Sequence, residues 1–252
     1  MQTRAVLFDL GGTLWSSPAE DADALASCYT RGREILVASG CDAPAIETLI
    51  DVVEGYLGEW EGIWRDAFGN QTQEPTPKFV ADALKRAGIE ATAAAVAAFT
   101  AAVMEVSVGT ARALAPEPGM PEALAALAQR GLRLGVVSNA FMSAQTLQRI
   151  MEARGIGPYF DVTVSSADVL HRKPHPKIYE AVLEPLGLSA EEALFVGDRL
   201  DADVEGPAAL GMRTVLTQQY KAEDPATARV KPDYVIKHLR ELVDVIDALL
   251  KR

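Results

Sequence analysis

Two textures of hydrophobic and polar positions divide this chain. From about Ser17 to Thr110 apolar residues recur at spacings of three and four. Examples are Ala22-Leu25-Tyr29, Ile46-Leu49-Ile50-Val53-Tyr56-Leu57, Phe79-Ala83-Leu84 and Val96-Phe99-Val103. This is the period of amphipathic helices. Gly40, Gly69 and Gly88 stand where such helices end, and Pro75 with Pro77 marks a loop between them. The alanine-rich stretch Ala91 to Ala102 follows helix propensity, and no segment of this region reads as a strand.

The remainder changes period. Ala5 to Phe8 is a continuous apolar run, suited to a parallel strand covered on both faces. Strand-like runs recur at Arg133 to Ser138, near Asp161 to Val164, and at Ala193 to Val196, Arg213 to Leu216 and Tyr234 to Ile236. Helical patterns lie between or after them, at Glu122 to Arg130, Ser143 to Arg154, Pro176 to Leu186, near Asp203 to Leu210, and at Leu239 to Leu250. Such alternation predicts an α/β fold, a Rossmann-like parallel sheet with helices on both faces. The expected division is a core of residues 1–15 and 111–252, interrupted after its first strand by a helical insert of residues 16–110.

Composition narrows the function. The 252 residues, 49% of them hydrophobic, suffice for one large domain or two small ones. The formal net charge of -11 argues against a nucleic-acid-binding surface. An anionic substrate must then be attracted by local positive charge or a metal. Cys28 and Cys41 are too few for a disulfide framework. No signal-peptide pattern precedes the first strand, and no apolar run is long enough to span a bilayer. The expectation is a cytoplasmic protein without nucleic-acid or membrane partners; a monomer and a homodimer both fit.

Candidate chemistry gathers at strand ends. Asp9-Leu10-Gly11-Gly12-Thr13, Val137-Ser138-Asn139, Arg172-Lys173-Pro174 and Gly197-Asp198-Arg199-Leu200-Asp201-Ala202-Asp203 each lie at or just after a predicted strand. A parallel sheet puts the carboxyl ends of its strands on one edge, so these segments converge on one crevice. Acids, a hydroxyl, a lysine and glycine turns in one crevice suit phosphoryl transfer. Asp9 is the candidate nucleophile. Asp198, Asp9 and a main-chain carbonyl form a candidate oxygen-ligand set for Mg²⁺. Ser138 and the Asn139 amide are candidates for bonding phosphoryl oxygens, and Lys173 for fixed positive charge. Asp201 reads as a solvated loop acid. His171 and His175 flank Lys173, and histidine is a residue type able to supply a proton; exposed loop histidines are the ordinary reading. Trp60, Trp64 and Arg65 lie on adjoining faces of one helix, where an ordinary packing pair Trp60–Trp64 competes with a substrate-closing role.

The ordered set resembles the haloacid dehalogenase-like (HAD) hydrolase superfamily. Its four motifs are matched at Asp9 to Thr13, at Ser138, at Lys173-Pro174 and at Asp198 with Asp203, over nearly the whole chain. The insert resembles the family's helical C1-type cap, which closes over the crevice and selects substrates. The resemblance implies Asp9, Lys173 and Ser138 as catalytic residues. It implies Ser138, Asn139, Gly12, Thr13 and Trp15 on the substrate side, with Trp15 and Ser16 at the hinge to the cap. Asp9, the Gly11 carbonyl, Asp198 and Asp203 are the implied Mg²⁺ set. Asp203 has an equally supported structural role, hydrogen-bonding Lys173.

One position departs from the pattern. Phosphatases of the family carry a second aspartate where this chain has Gly11. That acid protonates the leaving group and then helps water attack the aspartyl-phosphate, help typically worth about a hundred- to ten-thousand-fold. Glycine keeps the carbonyl but has no proton to give, so aryl or acyl phosphates with acidic leaving groups suffer least. The 2-haloacid dehalogenases of the family also lack the acid, because halide leaves without a proton; they also lose the acidic metal ligand that this chain keeps in Asp198. The expected function is Mg²⁺-dependent hydrolysis of a small phosphorylated metabolite. A dehalogenase acting on a halogenated substrate and a non-catalytic binder of a phosphorylated ligand or protein are the rivals.

Overall fold

The computed structural model describes residues 2–15, 22–40, 46–65, 69, 71–112 and 117–251. Expectations about Ser16 and Cys41, and about the side chains of Trp60, Trp64 and Arg65, lie outside what is described. The chain divides into two compact units. One comprises Met1–Ser17, Ala67–Gln73 and Pro116–Arg252, the other Pro18–Asp66 and Glu74–Ala115.

The first unit is built on six parallel strands: β1 (Ala5–Phe8), β2 (Arg133–Ser138), β3 (Val162–Ser165), β4 (Ala193–Gly197), β5 (Arg213–Thr217) and β6 (Tyr234–Ile236). Their order across the sheet is β3-β2-β1-β4-β5-β6. The α/β expectation is met, and every predicted strand is present. β1 is central and fully buried, as its unbroken apolar run requires. The order reverses direction at β1, the switch point where open α/β sheets bind ligands.

Helices fill the chain between strands. In order they are α1 (Ala22–Ala38), α2 (Ile46–Arg65), α3 (Thr76–Arg86), α4 (Ala93–Arg112), α5 (Met120–Gln129), α6 (Ala144–Ala153), α7 (Ser166–Val169), α8 (Pro176–Leu186), α9 (Gly206–Ala209) and α10 (Leu242–Leu250). One sheet face packs Val6, Phe8, Leu134 and Val196 against α5, α6 and α10 through Leu124, Leu147 and Ile246. The other packs Leu7, Val137 and Phe195 against α8 through Ile178, Tyr179 and Val182.

The second unit holds α1 to α4. Close approach of α1 and α4 rests on small residues. A methyl at Gly32 would stand 3.2 Å from Val106, and one at Gly109 would stand 2.6 Å from the Cys28 sulfur. Pro75 and Pro77 open α3 rather than marking a loop apart from helices. Pro75 is its N-cap residue and Pro77 falls in its first turn, where a missing N–H costs nothing.

Residues Ala67–Gln73 were expected within the insert and instead group with the sheet unit. Hydrogen bonds explain this. Gln73 N donates to Leu170 O at 2.9 Å and Arg172 N donates to Gln71 O at 2.8 Å, with an antiparallel bridge between Thr72 and His171.

Candidate active site

Strand register brings the sequence-predicted segments to one edge. Phe8 pairs with both Val136 and Val196, and Ser138 with Ser165. Asp9, Ser138 and Asp198 therefore follow within two residues of three aligned strand positions. Asp9 continues the ladder, its N–H donating to Val196 O at 2.9 Å. Lys173 comes from the loop between α7 and α8.

The charged cluster is buried and tightly spaced. Lys173 Nζ donates to Asp9 Oδ1 at 2.6 Å and to Asp203 Oδ1 at 2.7 Å. The ammonium also lies 5.3 Å from the centre of the Phe195 ring. Carboxylate oxygens of Asp9, Asp198 and Asp203 lie within 4.8 Å of one another. Asp203 is bonded by protein donors at both oxygens, its Oδ2 accepting Arg199 N at 3.0 Å. Asp198 is not: its buried Oδ1 has no hydrogen-bond partner among the described residues. Two glycines permit this crowding. A Cβ at Gly12 (φ +83°) would stand 2.6 Å from Asp198 Oδ2, and one at Gly197 would overlap Asp203.

Burial and like charge act together on the acids. Burial, then the charges of Asp9 and Asp203, push the Asp198 carboxyl up to about 8, against the pull of Lys173 and Lys221. Burial raises Asp203 to about 6, with Lys173 opposing and Asp9 adding to the rise. Burial pulls Lys173 down, but the charges and hydrogen bonds of Asp203 and Asp9 outweigh it, so its pKa ends above the ordinary lysine value. With all four groups ionised, three carboxylates face one ammonium and two negative charges are left over. The chemistry of such a set suits a divalent cation. The orphaned Asp198 oxygen fits that role in chemistry and in position.

The other predicted residues divide. Ser138 is buried at the end of β2. Thr13 Oγ1 donates to Asp9 Oδ2 at 3.4 Å, a long bond that faces the nucleophile candidate. Asn139 laces the lysine loop, taking Lys173 N on Oδ1 at 2.7 Å and giving Nδ2 to Lys173 O at 3.1 Å. The Gly12 N–H is spent on Trp15 O at 2.7 Å. Gly11 is exposed, and a Cβ there would meet nothing within 4 Å. Trp15 packs against the core, with the Arg154 guanidinium 4.7 Å from its ring centre. Asp201 is not a solvated acid but is half-buried, holding Arg199 through both oxygens at 2.9 and 2.6 Å. His171 Nδ1 is bonded to Val169 O, and His175 caps α8 by accepting Lys177 N.

A family model described as "Hydrolase: haloacid dehalogenase-like hydrolase" matches residues 3–211, and the chain belongs to that family. Over 138 residues the chain is 36% identical to the glyceraldehyde 3-phosphate phosphatase of Methanocaldococcus jannaschii, 55% of this chain and 59% of that protein. The chain thus spans little more than half the length of the curated relatives it matches. Among solved structures, a HAD phosphatase from Thermococcus onnurineus has a TM-score of 0.61 at 23% identity, covering 97% of this chain and 98% of that one. A 2-haloacid dehalogenase from Pseudomonas syringae pv. Tomato DC3000 has a TM-score of 0.62 at 24% identity, covering 98% and 99%. The fold is therefore shared with a phosphatase and with a dehalogenase.

Proposed function

We propose that this protein is an Mg²⁺-dependent phosphatase of small phosphorylated metabolites, working through an aspartyl-phosphate at Asp9. The observation that carries the reading is the buried set of Asp9, Asp198 and Asp203 against the single ammonium of Lys173. A site that merely displaces halide from carbon has no use for the unpartnered buried acid Asp198. Relatives in sequence that are named as phosphatases support the same reading.

Asp9, Asp198 and the Gly11 carbonyl would hold the metal, which when bound supplies neutralising positive charge beside the phosphoryl oxygens. Asp203 is wholly buried between Lys173 Nζ and Arg199 N, and we assign it to positioning Lys173 rather than to the metal. In the first step an Asp9 oxygen forms a bond to phosphorus, and the leaving oxygen departs with the bonding pair. Lys173 balances charge on Asp9 and the phosphoryl group, while Ser138 and the Asn139 amide bond the phosphoryl oxygens. In the second step water attacks phosphorus, Asp9 is released as carboxylate, and the water proton passes to phosphate and solvent. Trp15 and the Gly12 amide are left out of the substrate contacts, because packing under Arg154 and the bond to Trp15 O already engage them. We assign the helical unit the role of the substrate-selecting cap.

Gly11 offers no proton to the leaving group. Acyl and aryl phosphates are therefore expected to be the fastest substrates and alkyl phosphates the slowest. The test is a panel of phosphate esters and 2-haloacids, run with Mg²⁺ and with chelator. Phosphate release that needs Mg²⁺ and disappears in Asp9→Asn is the expected result. Halide release in chelator would replace this reading with the dehalogenase one, a rival that the missing acid at Gly11 leaves open because halide needs no proton. Tight binding of beryllofluoride without turnover of any ester would leave a non-catalytic binder.

A further inference from the structure

Gln73 was not among the residues singled out from the sequence. It lies in a polar segment with no period, between α2 and α3. Yet it is 3% exposed and sits between the two loops that carry Ser138 and Lys173. Its Nε2 donates to Ala140 O at 3.0 Å, two residues beyond Ser138. Its N–H donates to Leu170 O at 2.9 Å, three residues before Lys173. The neighbouring Gln71 carbonyl takes the N–H of Arg172, adjacent to the lysine. Asn139 also laces these loops, bonding both main-chain groups of Lys173, and Ser166 Oγ accepts Ala140 N and donates to the same Ala140 O at 3.1 Å.

A second observation shows that packing alone does not account for this side chain. Gln73 Oε1 is buried and has no donor among the described residues. A buried acceptor without a partner costs stability, and an apolar side chain of similar length would avoid that cost. What the amide offers in return is its donor on Ala140 O and its fixed place beside the lysine loop.

We propose that Gln73 is a positioning residue: it braces the loop that carries Lys173 against the loop that carries Ser138 and Asn139, and so holds the ammonium in register with Asp9. The chain passes between the two units four times, at residues 17–18, 66–67, 73–74 and 115–116. Gln73 is the last residue before the third of these passages. The brace is thus supplied by the one piece of chain between α2 and α3 that joins the sheet unit. The kinetic consequence rests on the phosphatase reading above; the mechanical claim does not.

The test compares the full-length parent with Gln73→Met, which keeps length and removes both polar atoms. Amide hydrogen exchange at Arg172 and Lys173 is expected to rise about tenfold or more, with the thermal midpoint unchanged or higher because the orphaned acceptor is gone. On an acyl phosphate with Mg²⁺, kcat is expected to fall at least tenfold with KM changed less than twofold. A merely structural glutamine would lower the midpoint and leave kcat per folded molecule alone. If Gln73→Met does not fold, Gln73→Asn takes its place, since it keeps an amide too short to reach Ala140. Exchange at Arg172 and Lys173 unchanged in the folded variant overturns the proposal. If the parent hydrolyses no ester, the phosphatase reading fails by itself, and the exchange rates alone decide for or against the brace.

Discussion

At Asp198 an oxygen without a donor coincides with a carboxyl pushed up to about 8 by burial and by Asp9 and Asp203, with Lys173 and Lys221 opposing. The sign of its effect on stability follows directly. An aspartate in an unfolded chain ionises near ~3.9. Between that value and about 8 the folded state holds a proton that the unfolded state has lost. Stability from this group is therefore complete below the lower value and falls as pH rises, at up to about 1.4 kcal/mol per unit, until the higher value is passed. In chelator, the thermal midpoint of the parent should drop between pH 5 and 8. Asp198→Asn, which cannot ionise, should give a flatter curve and be the more stable protein at pH 8. Parallel curves for the two proteins would refute this account of the site. Gly11 is the opposite case, an exposed turn residue with open space where a side chain would project. Gly11→Asp should fold normally. It should raise turnover of alkyl phosphates by about a hundredfold or more, towards the range of general acid catalysis, and that of acyl phosphates far less. Equal gains on both classes would mean that proton donation was not the missing part.

Elements obeyed simpler rules than the site does. Helix α6 is capped by Ser143, whose Oγ accepts Thr146 N at 3.2 Å. Ser143→Ala should cost about 1 kcal/mol, within the usual range of 0.5–2, read from the urea midpoint at constant slope. The helical pattern in the sequence, Ser143 to Arg154, takes in the two residues that flank the observed α6, though it does not by itself mark Ser143 as the cap. Strand bounds were legible for a related reason: buried parallel strands are short apolar runs with sharp polar ends. Convergence of Asp9, Ser138, Lys173 and Asp198 was legible because parallel topology alone collects carboxyl ends on one edge. What was not legible depends on partners distant in sequence. The helix expected near Asp203 begins earlier, as a wide π-type turn over Leu200–Glu205 that leads into α9. There Asp203 takes Arg199 N and the Tyr179 hydroxyl donates to Ala202 O, bonds that no local pattern announces. Gln73 was missed likewise, because its burial comes from Ala140 and Leu170 rather than from an amphipathic period.

Across the whole molecule the charge balance ties the site to stability. The chain carries a formal charge of -11, so any cation will weaken its self-repulsion. With all four groups ionised the buried cluster would carry two surplus negative charges in a place that diffuse counter-ions do not screen well. Mg²⁺ binding to the folded state alone stabilises by RT ln(1 + [Mg²⁺]/Kd), about 2.7 kcal/mol at a hundredfold excess over Kd. For a chain of this size that corresponds to a rise in the thermal midpoint of several degrees. General screening predicts a different pattern: the rise should be reproduced by NaCl at matched ionic strength and should not saturate. Site binding predicts a saturable rise at millimolar Mg²⁺ or below, absent in NaCl and lost in Asp198→Asn. The two-unit organisation sharpens the reading, because Asp9, Lys173, Asp198 and Asp203 all belong to the sheet unit. If melting occurs in two steps, only the step of that unit should move with Mg²⁺. A shift confined to the helical unit, or one that survives Asp198→Asn, would place the cation elsewhere and remove the support it lends to phosphoryl chemistry at Asp9.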